Sequence, residues 1–166
     1  MKTKTLGIVI VVAVVAVAAV LAFAVRDSSS SGDDAASAGS YTGEVIAPDA
    51  FKVADYAGKP LVVNLFGSWC PPCNAEATDL GTFAEQNPDA QVVGIACEDT
   101  QDAAEGFMAK YGLTYPLVVD DGSQVQEFAI TAYPTTIFFD AQGKEVDRLV
   151  GASTLDQFNA SLAKAQ

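Results

Sequence analysis

A nearly unbroken apolar run, Leu61-Val62-Val63-Asn64-Leu65-Phe66, leads through Gly67-Ser68 into Trp69-Cys70-Pro71-Pro72-Cys73. The run follows Gly58-Lys59-Pro60 and reads as a central strand buried on both faces. Pro71 and Pro72 suit the first turn of a helix, where missing N–H groups cost nothing. A helix is therefore expected from about Cys70 to Gln86, stopped by Asn87-Pro88. A helix N-terminus carries partial positive charge and free N–H groups, which stabilise a thiolate. The thiolate is the nucleophile of thiol–disulfide exchange. A strand–CxxC–helix unit thus points to a chain that moves electron pairs between sulfurs.

The elements around this unit follow from the same periodicities. Gln91 to Cys97 reads as a second buried strand. Asp99-Thr100 caps a helix with Ala103, Ala104, Phe107, Met108 and Tyr111 at helical spacing, ended by Gly112. Leu117-Val118-Val119 is a short strand and Val125 to Phe128 a short helix. Thr135 to Phe139 and Glu145 to Val150 flank Ala141-Gln142-Gly143-Lys144 as a hairpin. Ser153-Thr154-Leu155-Asp156 resembles a capping box opening a last helix with Leu155, Phe158 and Leu162 on one face. This order indicates a three-layer α/β/α sandwich with a mixed sheet.

The N-terminal part reads differently. Leu6 to Val25 is 20 residues without a charge, preceded by Lys2 and Lys4 and followed by Asp27, Asp33 and Asp34. About 20 apolar residues span a bilayer, and the positive-inside rule puts the following chain outside the cytoplasm. Residues 1–26 are expected to be a transmembrane signal anchor. A cleaved signal peptide competes, because Ala22-Phe23-Ala24 has the small-x-small pattern of a cleavage point. Residues 27–43, with Ser28-Ser29-Ser30-Ser31-Gly32-Asp33-Asp34, form an acidic Ser/Gly tether. Residues 44–166 are the folded domain, long enough for one core.

All 21 acidic residues lie at or beyond Asp27, against six basic ones there, a net charge of −15. That excludes a nucleic-acid partner, which needs clustered Lys/Arg. Outside the cytoplasm disulfides persist, so a CxxC there is free to be redox-active. Its loop is too short to be a useful staple. The leftover Cys97 reads as an inert core thiol, with a redox-partner role as the alternative.

From about Ala47 to Ala163 the chain resembles the thioredoxin superfamily, specifically the membrane-anchored, extracytoplasmic TlpA/ResA/CcmG-like thiol-disulfide oxidoreductases. The resemblance rests on Val63-Asn64-Leu65-Phe66-Gly67-Ser68-Trp69-Cys70-Pro71-Pro72-Cys73, Glu76, Tyr133-Pro134-Thr135-Thr136 and the Asp140-Ala141-Gln142-Gly143-Lys144 turn. It implies a thioredoxin-like fold, Cys70 as the exposed attacking sulfur and Cys73 as the buried resolving one. It also implies a cis peptide at Tyr133–Pro134 packed against the disulfide, and cis bonds belong almost only to X–Pro. Beyond the Cys70–Cys73 disulfide no cofactor or metal is implied. The expected partners are protein thiols and disulfides, apocytochrome c among them, and a membrane thiol shuttle.

Glu76 lies three positions after Cys73 and four before Leu80, beside the stripe formed by Cys73, Ala77, Leu80 and Ala84. A carboxylate there is partly desolvated, which raises its pKa, and it can exchange the proton that Cys73 loses or gains. A solvated surface Glu is the competing placement. Thioredoxins proper use a buried Asp on the central strand, where this chain has Asn64, which cannot titrate. Trp69 reads as a shield and flat substrate contact, with plain packing as its alternative. Selectivity is expected around Trp69, Tyr133-Pro134 and the Glu98-Asp99 loop.

The resemblance favours a reductase, as in cytochrome c maturation; a disulfide-forming oxidase is the alternative. A thiol peroxidase would want a lone cysteine with a nearby Thr and Arg, and no arginine lies between Arg26 and Arg148. A copper module would want His or Met, and the chain has no histidine.

Overall fold

The computed structural model describes residues 39–166; the span expected over 6–25 and most of the tether lie outside the described residues. The described elements are β1 (Val45–Ile46), β2 (Leu61–Phe66), α1 (Pro71–Gln86), β3 (Gln91–Ala96), α2 (Gln101–Lys110), β4 (Leu117–Val119), α3 (Ser123–Glu127), β5 (Thr135–Phe139), β6 (Glu145–Val150) and α4 (Leu155–Leu162). Two short 3-10 turns, Pro48–Ala50 and Val53–Tyr56, follow β1.

The strands form one six-stranded sheet in the order β1-β4-β3-β2-β5-β6. β1, β4, β3 and β2 run parallel, while β5 is antiparallel to β2 and β6 to β5. Every residue of β2 is buried, as a continuous apolar run between two packed layers requires.

Alternation along the strands divides the core. Leu61, Val63, Leu65, Val93, Ile95, Ile137 and Phe139 face Phe51 and Phe128 on one side. Val62, Val92 and Phe138 face Leu80 and Phe83 of α1 and Phe158 of α4 on the other. Phe66 and Ala96, on that same side, meet Ala77 of α1 and Ala104, Phe107 and Met108 of α2. One layer is thus three helices, and the opposite one is α3 with the 3-10 turns. Phe83 ties α1 to sheet and α4 at once, 6.4 Å from the Phe138 ring and 5.7 Å from Phe158 between centroids.

Some details depart from the sequence reading. β1 is an additional two-residue edge strand; so short a run carries no periodicity. Packing starts before Glu44: Tyr41 joins the cluster of α1 and α2 side chains and donates its hydroxyl to the Tyr115 carbonyl at 2.7 Å. Ala103 is exposed, because the buried stripe of α2 is Ala104, Phe107 and Met108. The cap of α4 is Thr154 with Gln157, one position later than expected; the Thr154 hydroxyl accepts from the Gln157 amide and the Gln157 side chain accepts in return.

Candidate active site

β2 delivers its chain directly into the site. Gly67, Ser68 and Trp69 turn it, and Cys70 becomes the N-cap of α1. Cys70 and Cys73 form a disulfide. The Cys73 amide donates to Cys70 Sγ at 3.4 Å. In this oxidised state Cys70 is not the openly exposed sulfur of the sequence reading. It is 4% accessible, against 1% for Cys73, because the cap position folds its side chain in toward the helix start. Cys70 is nonetheless the more accessible of the two.

The loop is braced on both sides. Asp99, just beyond β3, accepts hydrogen bonds from the Ser68 amide at 2.6 Å and the Ser68 hydroxyl at 2.9 Å. Asn74 donates its amide nitrogen to the carbonyls of Ser68 and Cys70, both at 2.9 Å. Its oxygen accepts from the Tyr111 hydroxyl at 2.8 Å and from Lys110 at 3.1 Å. A charged acceptor on two donors is worth more than a neutral one, so Asp99 holds the turn ahead of Cys70.

Trp69 is 54% exposed. Its Nε1 donates to the Glu98 carbonyl at 3.2 Å, and its ring meets Tyr133 edge-on at 6.0 Å. A Cβ on Gly67 would lie 2.6 Å from the indole, so only glycine leaves room for the ring there. The Tyr133–Pro134 peptide is cis, and the Pro134 carbonyl accepts from the Gly151 amide at 2.8 Å. Thr135 pairs with Leu65 at the end of β2. This register brings the proline to the strand end that carries the disulfide.

Behind the cysteines lies a buried carboxylate. Glu76 is 3% accessible, within the buried stripe of α1 rather than beside it. Its Oε1 accepts from Asn64 Nδ2 at 2.9 Å and its Oε2 from the Ser153 amide at 2.8 Å. Asn64 Nδ2 also donates to Thr136 Oγ1 at 2.9 Å. Burial lifts the Glu76 pKa from an ordinary 4.5 to about 7; the Ser153 and Asn64 hydrogen bonds oppose the rise and the Asp79 charge adds to it. A group poised there can take or give a proton near neutral pH.

The Redoxin family model matches residues 33–164. The chain belongs to the Redoxin family. Among its relatives, the thiol-disulfide oxidoreductase ResA of Bacillus subtilis is 29% identical over 137 residues, covering 80% of this chain and 74% of the relative. The soluble secreted antigen MPT53 of Mycobacterium tuberculosis is 31% identical over 126 residues, covering 74% and 73%. Of the solved structures, a secreted disulfide oxidoreductase of Mycobacterium tuberculosis homologous to E. coli DsbE superposes with a TM-score of 0.62. It is 32% identical and covers 68% of this chain and 87% of that one. This redoxin has a thioredoxin-like α/β fold with a mixed sheet and is a thiol-disulfide oxidoreductase of the ResA/DsbE type, with Cys70–Cys73 as its CxxC pair.

The structure of this redoxin brings Trp69, Cys70, Cys73 and Tyr133 together where β2 passes into α1. Glu76 lies one helical turn on, hydrogen-bonded to Asn64 of β2. Pro71 and Pro72 open α1, and Pro134 follows Tyr133 through the cis peptide. Cys97 is fully buried behind them, among the side chains that Tyr133 packs against. Burial and the nearby Asp120 push its thiol up to about 12, which favours the protonated thiol. Asn74 and Ser153 are site residues that the sequence reading does not name as such. Asp99 was expected on a substrate-facing loop; instead its carboxylate turns inward onto Ser68. Nothing local in the sequence says that the Ser153 amide reaches a carboxylate on α1.

Proposed function

We propose that this redoxin is an extracytoplasmic reductase of protein disulfides, using Cys70 and Cys73 and no bound cofactor. Residues 1–26 anchor it as a single-pass membrane protein, 27–43 act as its tether, and 44–166 carry the chemistry. The secreted relatives support export, and cleavage after Ala24 would release the same domain.

The observation that supports this direction is at the start of α1. Pro71 and Pro72 occupy its first two positions and supply no N–H. The amide that reaches Cys70 Sγ is therefore that of Cys73, at 3.4 Å. A thiolate at Cys70 gains less from the helix start than it would from three free amides. Strong oxidants owe their potential to a stabilised reduced form; a less stabilised thiolate favours the disulfide product and supports the reading of the dithiol as an electron donor.

In the reductive cycle the Cys70 thiolate attacks a substrate disulfide and releases one substrate thiolate. The Cys73 thiol then gives its proton to the Glu76 carboxylate, attacks Cys70 Sγ and releases the second substrate sulfur. The enzyme ends oxidised and the substrate gains two electrons and, with protons from Glu76 and solvent, two thiols. A membrane thiol shuttle would restore the dithiol. Trp69 and Tyr133 offer the exposed aromatic surface on which the substrate segment lies, and an apocytochrome c with its own CxxC pair is the substrate class that the reading favours. Full-length Cys73→Ser is expected to accumulate mixed disulfides through Cys70, whose partners mass spectrometry identifies. Capture only by Cys70→Ser, or by neither variant, would overturn this assignment.

A further inference from the structure

Glu76 is buried, yet both of its oxygens face hydrogen-bond donors. The Ser153 amide holds Oε2, and Asn64 Nδ2 holds Oε1. The second hydrogen of the Asn64 amide goes to Thr136 Oγ1; the ionised Glu76 carboxylate, which only accepts, sets which end of the amide faces it, and the Thr136 oxygen takes the remaining hydrogen. Asn64 itself is locked on the central strand, 3% accessible, paired to Gly94 on one side and Thr136 on the other. The arrangement joins β2, α1, β5 next to Pro134, and the turn before α4, whose Gly151 amide holds the Pro134 carbonyl.

We propose that Asn64 is a positioning residue of the exchange reaction: its amide nitrogen, braced by the Thr136 hydroxyl that accepts its second hydrogen, fixes the Glu76 carboxyl in place and favours its ionised, proton-accepting form. This rests on the reading of Glu76 as the acid–base of the site. A buried carboxyl tends toward the neutral acid, and an acid unable to accept a proton cannot deprotonate Cys73. Donors on both oxygens oppose that tendency, since hydrogen bonds to the charged form favour it. The Ser153 contribution comes from the backbone, whereas Asn64 supplies the part set by a side chain. The titratable groups that act on Glu76 are Asp79 on its own helix, the Tyr115 phenol from the loop before β4, and the Cys70–Cys73 dithiol when reduced. Asn64, Thr136 and Ser153 add no charge, so removing the Asn64 donor changes hydrogen bonding alone.

The test uses the full-length reduced protein and two readouts: the pH midpoint of Cys73-dependent exchange, and the titration of the Glu76 carboxyl followed by carbon-13 NMR, assigned through Glu76→Gln. Asn64→Leu fills the site without a donor. It is expected to move both midpoints upward by about one pH unit, the scale of one hydrogen bond to a charged group. Thr136→Val keeps Asn64 and the shape of the strand but frees the amide to turn its oxygen toward the protonated acid. It is expected to move the midpoints the same way, and it decides the matter should Asn64→Leu fail to fold. Midpoints unmoved in the folded variants, with the exchange step still abolished by Glu76→Gln, would overturn the role of Asn64 alone. An exchange step that survives Glu76→Gln would overturn the reading of Glu76 beneath it.

Discussion

Glu76→Gln replaces a buried carboxyl by a neutral amide of nearly the same shape, and its clearest consequence is on stability against pH. The folded-state pKa of Glu76 is raised from 4.5 to about 7. A raised carboxyl contributes stability that is fully present below the unfolded value, near 4.5, and is lost as pH rises through about 7. The loss arises because the folded protein binds this proton when the unfolded chain has released it. A gap of that size corresponds to about 3 kcal/mol. The group is almost fully buried, so solvent screening takes little from this figure. Urea denaturation of the oxidised wild type and variant, from about pH 4 to about pH 8, isolates the contribution, because titrations not coupled to Glu76 cancel in the difference. The variant should gain about 3 kcal/mol relative to wild type across that window, with most of the change between about pH 4.5 and about pH 7. Parallel stability curves would refute the reasoning and place the Glu76 pKa in the ordinary carboxylate range; a difference that grows in the opposite direction would refute it by placing the pKa below that range.

Two further outcomes test the site around the disulfide. Asp99→Asn leaves one acceptor oxygen for the two Ser68 donors and should cost about 1 kcal/mol of stability in thermal or chemical denaturation. It should also slow exchange, since the turn ahead of Cys70 loosens. Trp69→Ala removes an exposed ring that packs edge-on against Tyr133. Stability should change by less than about 1 kcal/mol, while kcat/KM should fall for protein disulfides and hold for a small disulfide reagent.

Much of this was written in the sequence because it was local or periodic. The apolar run of β2, the prolines at the start of α1 and the Tyr133-Pro134 signature each carry their own signal, and the structure puts them where the patterns say. Glu76 shows where periodicity stops. Helical spacing places it near Cys73, but not within the buried stripe, because its burial depends on the turn before α4 arriving from 77 positions away. Asn64 was legible as a residue that cannot titrate; its role as a donor needed Thr136 on the neighbouring strand. Asp99 reads in sequence as a helix cap and part of a substrate-facing loop; its bonds to Ser68 cross 31 positions, which no local pattern encodes. β1 is held by its partner β4 rather than by its own two residues, so no window of sequence reveals it.

The central claim is that Cys70 and Cys73 donate electrons. Equilibration of the purified protein against a dithiol of known potential, read by the fraction of Cys70–Cys73 disulfide, measures it directly. A midpoint below about −200 mV, in the range of thioredoxin-type reductants, is the predicted result. A midpoint near about −120 mV, as in strong oxidants, would contradict the account.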